Sequence, residues 1–238
     1  MNRWKRWASA ALSLTLLTGL LPVTAWAAEF RQSGWAASFS AAQAAEPAES
    51  ASGTCGENLT WNFDADSGKL TISGSGEMED YTQTIDSAPW SAARYDIQTA
   101  VIEPGVTSIG EDAFNGCDKM TSVSLPATLR EIHARAFLEC SSLQSVTIPN
   151  SVESIGRDVF YKCTSLDNIV IPGNVETIED GTFSNCTSLT NVTISNGVKV
   201  IYDGAFFECS SLTELKLPAS VTEFRREEVG GQAVLGRQ

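Results

Sequence analysis

Ile148-Pro149-Asn150-Ser151-Val152-Glu153-Ser154-Ile155-Gly156-Arg157-Asp158-Val159-Phe160-Tyr161-Lys162-Cys163-Thr164-Ser165-Leu166 is one copy of a unit that recurs without a single insertion. Written in rows of 23 from Val101, the chain places Phe114, Phe137, Phe160, Phe183 and Phe206 in one column. Cys117, Cys140, Cys163, Cys186 and Cys209 form a second, and Ile109, Ile132, Ile155, Ile178 and Ile201 a third, which Phe224 continues. Four further apolar columns run through Leu143, Val146, Ile148 and Val152 and their equivalents. A fixed period of this length marks a repeat architecture.

One row holds too few apolar residues to close a core, so rows must stack and merge their columns into one interior. Val146-Thr147-Ile148 has the two-residue period of a strand, and Pro126, Pro149, Pro172 and Pro218 stop that strand in each row where they occur, because proline cannot extend a ladder. The expected fold is therefore a β-rich solenoid in the leucine-rich-repeat size range. Each 23-residue unit contributes one short parallel strand, spaced about 4.8 Å from the next. The Ala/Val-Phe pair before each Cys falls in a turn on the opposite side. Residues 101–223 make five repeats. In the sixth row the phenylalanine column falls on Val229 and the cysteine column on Gln232, so 224–238 reads as a degenerate carboxy-terminal tail.

The segments ahead of the repeats read differently. Residues 1–27 combine a basic start (Arg3, Lys5, Arg6), an apolar run over Ala8–Leu21 and an Ala25-Trp26-Ala27 cleavage site, the pattern of a secretory signal peptide. The run is shorter than the roughly 20 residues a spanning helix requires, which predicts no membrane insertion after cleavage. Residues 28–53 are rich in Ala, Ser, Gln and Glu and read as a flexible linker. Residues 54–100 are expected to form a β cap module. Its hairpin strands, Leu59–Phe63 and Leu70–Ile72, flank the turn Ala65-Asp66-Ser67-Gly68 and put Trp61, Phe63, Leu70 and Ile72 on one buried face.

Units such as 148–166 resemble the BspA-like, or Treponema pallidum-type, leucine-rich repeats, with the pattern I-P-x-S-V-x-x-I-G-x-x-A-F-x-x-C-x-S-L. Cys55-Gly56-Glu57-Asn58-Leu59-Thr60-Trp61, Leu70–Met78 and Pro89-Trp90 are similar to the module that precedes such repeats in gut-bacterial surface proteins. The resemblance implies a secreted or cell-surface interaction protein, some relatives of which adhere to host matrix proteins or other microbes.

Composition narrows the function classes. The net charge is −13, and residues 1–27 carry only basic side chains, so removing them leaves a still more acidic chain. Such a chain is repelled by phosphate backbones, which excludes nucleic acid as a partner. The cysteine column beside apolar columns reads as a buried thiol ladder rather than disulfides, because rows ~4.8 Å apart hold Cβ atoms wider than a disulfide prefers. Cys55 lies outside it. No spacing of Cys and His suits zinc, and no cofactor is implied. His133 is the only histidine, sits in a variable column and has no evident partner, so it reads as an exposed surface residue. Glu111-Asp112, Glu179-Asp180 and Glu77-Met78-Glu79-Asp80 read as solvated faces, and Asp64–Gly68 as a turn rather than a calcium loop. There is no catalytic site to assign.

Two surfaces remain. One is the outward strand columns, which include Ser145, Thr147, Asn168, Asn191 and Thr193. The other is an aromatic stripe of Tyr161 and Phe207 with nearby Tyr202. The expected function is a monomeric, non-enzymatic adhesion or protein-interaction module, secreted or held at the cell surface, with a protein or glycan ligand on a host or another microbe. The alternative is a structural spacer or a truncated fragment of a larger surface protein, and a more remote one is a secreted hydrolase.

Overall fold

The computed structural model describes residues 48–82 and 87–226. The signal segment 1–27, most of the linker stretch and the tail beyond 226 lie outside the described residues.

The chain opens with three antiparallel strands: β1 (Ala51–Gly56), β2 (Leu59–Asp64) and β3 (Lys69–Gly74). The β2–β3 hairpin has the expected turn, in which Asp66 N–H donates to Asp64 Oδ1 at 3.3 Å. Trp61, Phe63, Leu70 and Ile72 share its buried face. β1 starts inside the stretch 28–53 read as linker. Ala51-Ser52-Gly53 has no apolar alternation, and its pairing comes from β2.

From β3 onward the sheet turns parallel. β4 (Thr99–Ile102), β6 (Ser122–Ser124), β8 (Ser145–Val146), β10 (Asn168–Ile171) and β12 (Asn191–Ile194) follow in one eight-stranded sheet. The register advances one row per strand, as in Asn168 opposite Ser145 and Asn191. Each row was expected to give one strand, but it gives two. β5 (Ser108–Ile109), β7 (Glu131–Ile132) and β9 (Ser154–Ile155) form a second parallel ladder, and β11 (Thr177–Ile178), β13 (Val200–Tyr202) and β14 (Glu223–Arg225) a third. Most of these strands are two residues long, too short for alternation to show in sequence. Between the two strands of a row, Val152 N–H donates to Pro149 O at 3.0 Å, so the proline that ends one strand also starts the turn to the next.

The third side is a tight turn carrying the Phe and Cys columns. Its amides bond to the following row: Phe114 N–H to Ala136 O at 2.8 Å, Phe137 to Val159 O at 3.0 Å and Phe160 to Thr182 O at 2.9 Å. The rings stack nearly parallel, with centroids 5.2–5.6 Å apart and interplanar angles of 4–9°. Trp90 extends the stack toward the cap, 5.7 Å from Phe114, and its indole N–H donates to Ala113 O at 2.8 Å. Every described cysteine is a buried free thiol. From the second row of the ladder on, each Sγ–H donates to a phenylalanine carbonyl of the row before: Cys140 to Phe114 at 3.2 Å, Cys163 to Phe137 at 3.3 Å, Cys186 to Phe160 at 3.1 Å and Cys209 to Phe183 at 3.0 Å. Burial pushes the thiols up, Cys117 and Cys55 to about 12.

Candidate interaction surface

Alternation along each strand of the large sheet sends Val146, Ile169 and Ile171 inward and their neighbours to solvent. Parallel pairing in register then lines up the outward residues across rows. Ser122, Ser145, Asn168 and Asn191 form one exposed column, and Ser124, Thr147, Val170 and Thr193 the next. Lys216 extends the second column through an isolated bridge to Thr193. The face is polar apart from the exposed Val170. Among the described residues, its only side-chain contacts are Asn191 Nδ2–H to the neighbouring Thr190 Oγ1 at 2.9 Å and a loose Lys216–Glu214 pair at 3.9 Å.

The flanks differ sharply. There, side chains one row apart pair with each other: Lys162 with Glu139 at 2.7 Å, Lys199 with Glu176 at 2.6 Å and Arg130 with Glu153 at 3.3 Å. Arg135 forks onto both carboxylate oxygens of Asp112 and also reaches Glu111. The Glu111-Asp112 pair is therefore bound by a guanidinium, which leaves neither acid facing an open cleft.

The aromatic stripe is less continuous than its spacing implies. Tyr161 is half-buried with the Lys162 ammonium 5.2 Å over its ring. Tyr202 is half-buried and pairs with Arg225 across β13 and β14. Phe207 stands out, 61% exposed, while Ser184, which lies between Tyr161 and Phe207 in the column, is buried.

His133 corrects the sequence reading. It is half-buried and has two partners: Nδ1 lies 2.7 Å from Asp80 Oδ1 and Nε2 lies 3.3 Å from Glu131 Oε2. Burial opposes its charged form, but the hydrogen bonds and charges of the two carboxylates outweigh that and raise its pKa. Asp80 is held below the usual carboxylate range, with burial opposed by the Glu111 amide and by His133. Asp80 reaches His133 from 53 residues earlier in the chain, a distance no local motif can signal. No cluster of three metal-ligating side chains occurs among the described residues, and no described helix is long and apolar enough to cross a membrane.

A stack of 23-residue turns with a continuous parallel sheet and one uncommitted polar face defines a leucine-rich-repeat solenoid. The chain belongs to the BspA-type leucine-rich-repeat family: the model described as "BspA type Leucine rich repeat region" matches residues 96–228 in six copies. Among solved structures it is similar to a Treponema pallidum leucine-rich repeat protein, with 29% identity and a TM-score of 0.57 over 72% of this chain and 85% of that one. It is also similar to a leucine-rich cell surface protein from Faecalibacterium prausnitzii, with 26% identity and a TM-score of 0.56 over 76% of this chain and 52% of that one. No curated protein matches it.

Proposed function

We propose that the chain is an exported, non-enzymatic interaction module that binds a protein or glycan ligand, on a host or on another microbe, through the open face of its large sheet. The observation carrying this reading is the contrast in hydrogen bonding. On the flanks, charged side chains are satisfied by the next row. On the face, Ser145, Thr147, Asn168 and Thr193 present donors and acceptors with no protein partner among the described residues. Solenoids use such extended faces for recognition. Family membership and likeness to a cell surface protein support the same class and an exported location. The acidic charge argues against nucleic acid. Phe207 favours a second contact point, because an exposed aromatic ring is a common interface anchor.

The test is binding of the purified chain to a panel of host matrix proteins and glycans. The face variant Asn168→Lys/Thr193→Lys is compared with Phe207→Ser and with Tyr161→Ser/Phe207→Ser. Saturable binding lost in the face variant and kept in both aromatic variants is expected. Binding lost only in the aromatic variants would move the site to the turn side. No binding by the folded chain would favour the spacer reading.

A further inference from the structure

We propose that His133 is a pH-operated latch that fastens the strap Gly76–Tyr81 of the N-terminal module onto the second turn of the repeat stack. The strap leaves β3 and crosses the edge of the first turn. Its backbone is tied there by Thr107 N–H to Gly76 O at 2.9 Å, Met78 N–H to Ser108 Oγ at 3.1 Å and Tyr81 N–H to Glu111 O at 2.9 Å. Glu79 N–H ties it back to Cys55 O at 3.0 Å. Gly110 makes this close passage possible, since a Cβ there would sit 1.8 Å from Glu79 O. Among the described residues, the strap's side-chain contact with the second turn is Asp80 with His133.

The geometry of that contact selects one protonation state. A neutral imidazole has one N–H and one lone pair. Here both ring nitrogens face carboxylate oxygens, Asp80 on one side and Glu131 on the other. Only the imidazolium donates to both. Deprotonation leaves a nitrogen lone pair against a carboxylate. Asp80 cannot simply swing away, because its Oδ1 also accepts the Glu111 N–H at 2.7 Å.

The acidic side chains around the contact act in the same direction. Glu57 from the β1–β2 turn, with Glu77 and Glu79 from the strap, lines the same groove of about 550 Å³ as Asp80 and His133. From the first turn, Glu111 is engaged by Arg135. From the third turn, Gly156 packs against the His133–Ala134 backbone, with Arg157 beside it in sequence. The pKa of His133 is raised, so its contribution is fully present below the ordinary value of about 6.5 and is lost as pH rises through the higher folded value. Asp80 has a lowered pKa, so its share is present above about 3.9 and is lost as pH falls through the lower folded value. The latch is closed at mildly acidic pH and is released as pH rises through the raised folded value of His133.

Because His133 is the only histidine, its Cε1–H NMR signal reports the titration without ambiguity in the full chain. The expected midpoint lies above about 6.5, and Asp80→Asn moves it down. Hydrogen exchange of the Met78–Tyr81 amides, corrected for intrinsic rates and referenced to Ile155 in the same sample, speeds up about two- to fivefold above that midpoint, as befits a partly exposed ion pair. His133→Gln removes that pH dependence. A wild-type midpoint at or below 6.5, or strap exchange that follows Ile155 throughout, would overturn the proposal without any variant.

Discussion

Phe160 and Phe206 occupy the same column two rows apart, yet one is completely buried and the other only partly. The same gradient runs through the other columns. Leu166 and Leu189 are buried where Leu212 is half-buried, and Ile178 and Ile201 are buried where Phe224 is 63% exposed. The residue types are equivalent; their burial differs with position along the described stack. In this fold a side chain owes its burial to the rows before and after it, so one motif has different energetic weight at different places. At the other end, Trp90 stacks on Phe114, which is as buried as Phe160, and Trp61 of the hairpin packs edge-on against Trp90.

That comparison can be broken by substitution. Phe160→Ala removes a ring stacked on both sides and is expected to cost about 3–5 kcal/mol in chemical unfolding. Phe206→Ala, half-buried, should cost about 1–2 kcal/mol. Cys163→Ala loses a small buried side chain and its bond to the Phe137 carbonyl, about 1 kcal/mol, and Cys209→Ala should cost less. Raised thiol pKa values and burial predict that no native cysteine is alkylated quickly at mildly alkaline pH. Cys209, the least buried of the ladder, should react first and the others only on unfolding. Phe207→Ser, on the exposed side of the same turn, should change stability by no more than about 0.5 kcal/mol and act only on binding. If Phe160→Ala and Phe206→Ala cost the same, the gradient has no energetic meaning.

The stack was legible because its columns recur at an invariant spacing, and burial of the Phe, Cys and Ile columns follows from that alone. Features held by partners in other rows were not. β5, β7 and β9 are too short to show a period, and β1 draws its pairing from β2 despite an Ala-Ser-Gly sequence. Trp90 joins the phenylalanine stack although no repeat column contains it. The polar face was readable as alternation, but its freedom from internal pairing was not, because the flank pairs that leave it open are set by side-chain reach across rows. His133 escapes a sequence reading for the same reason: Asp80, distant in the chain, holds it.

The most direct measurement is residue-resolved hydrogen exchange of the phenylalanine-column amides under native conditions. Phe114, Phe137 and Phe160 each donate to a carbonyl of the next row, and the account predicts slow, similar exchange for these three. It predicts markedly faster exchange for Phe206, which is only partly buried. Equal protection at Phe160 and Phe206 would contradict it and would mean that the stack unfolds as one unit with no gradient along its axis.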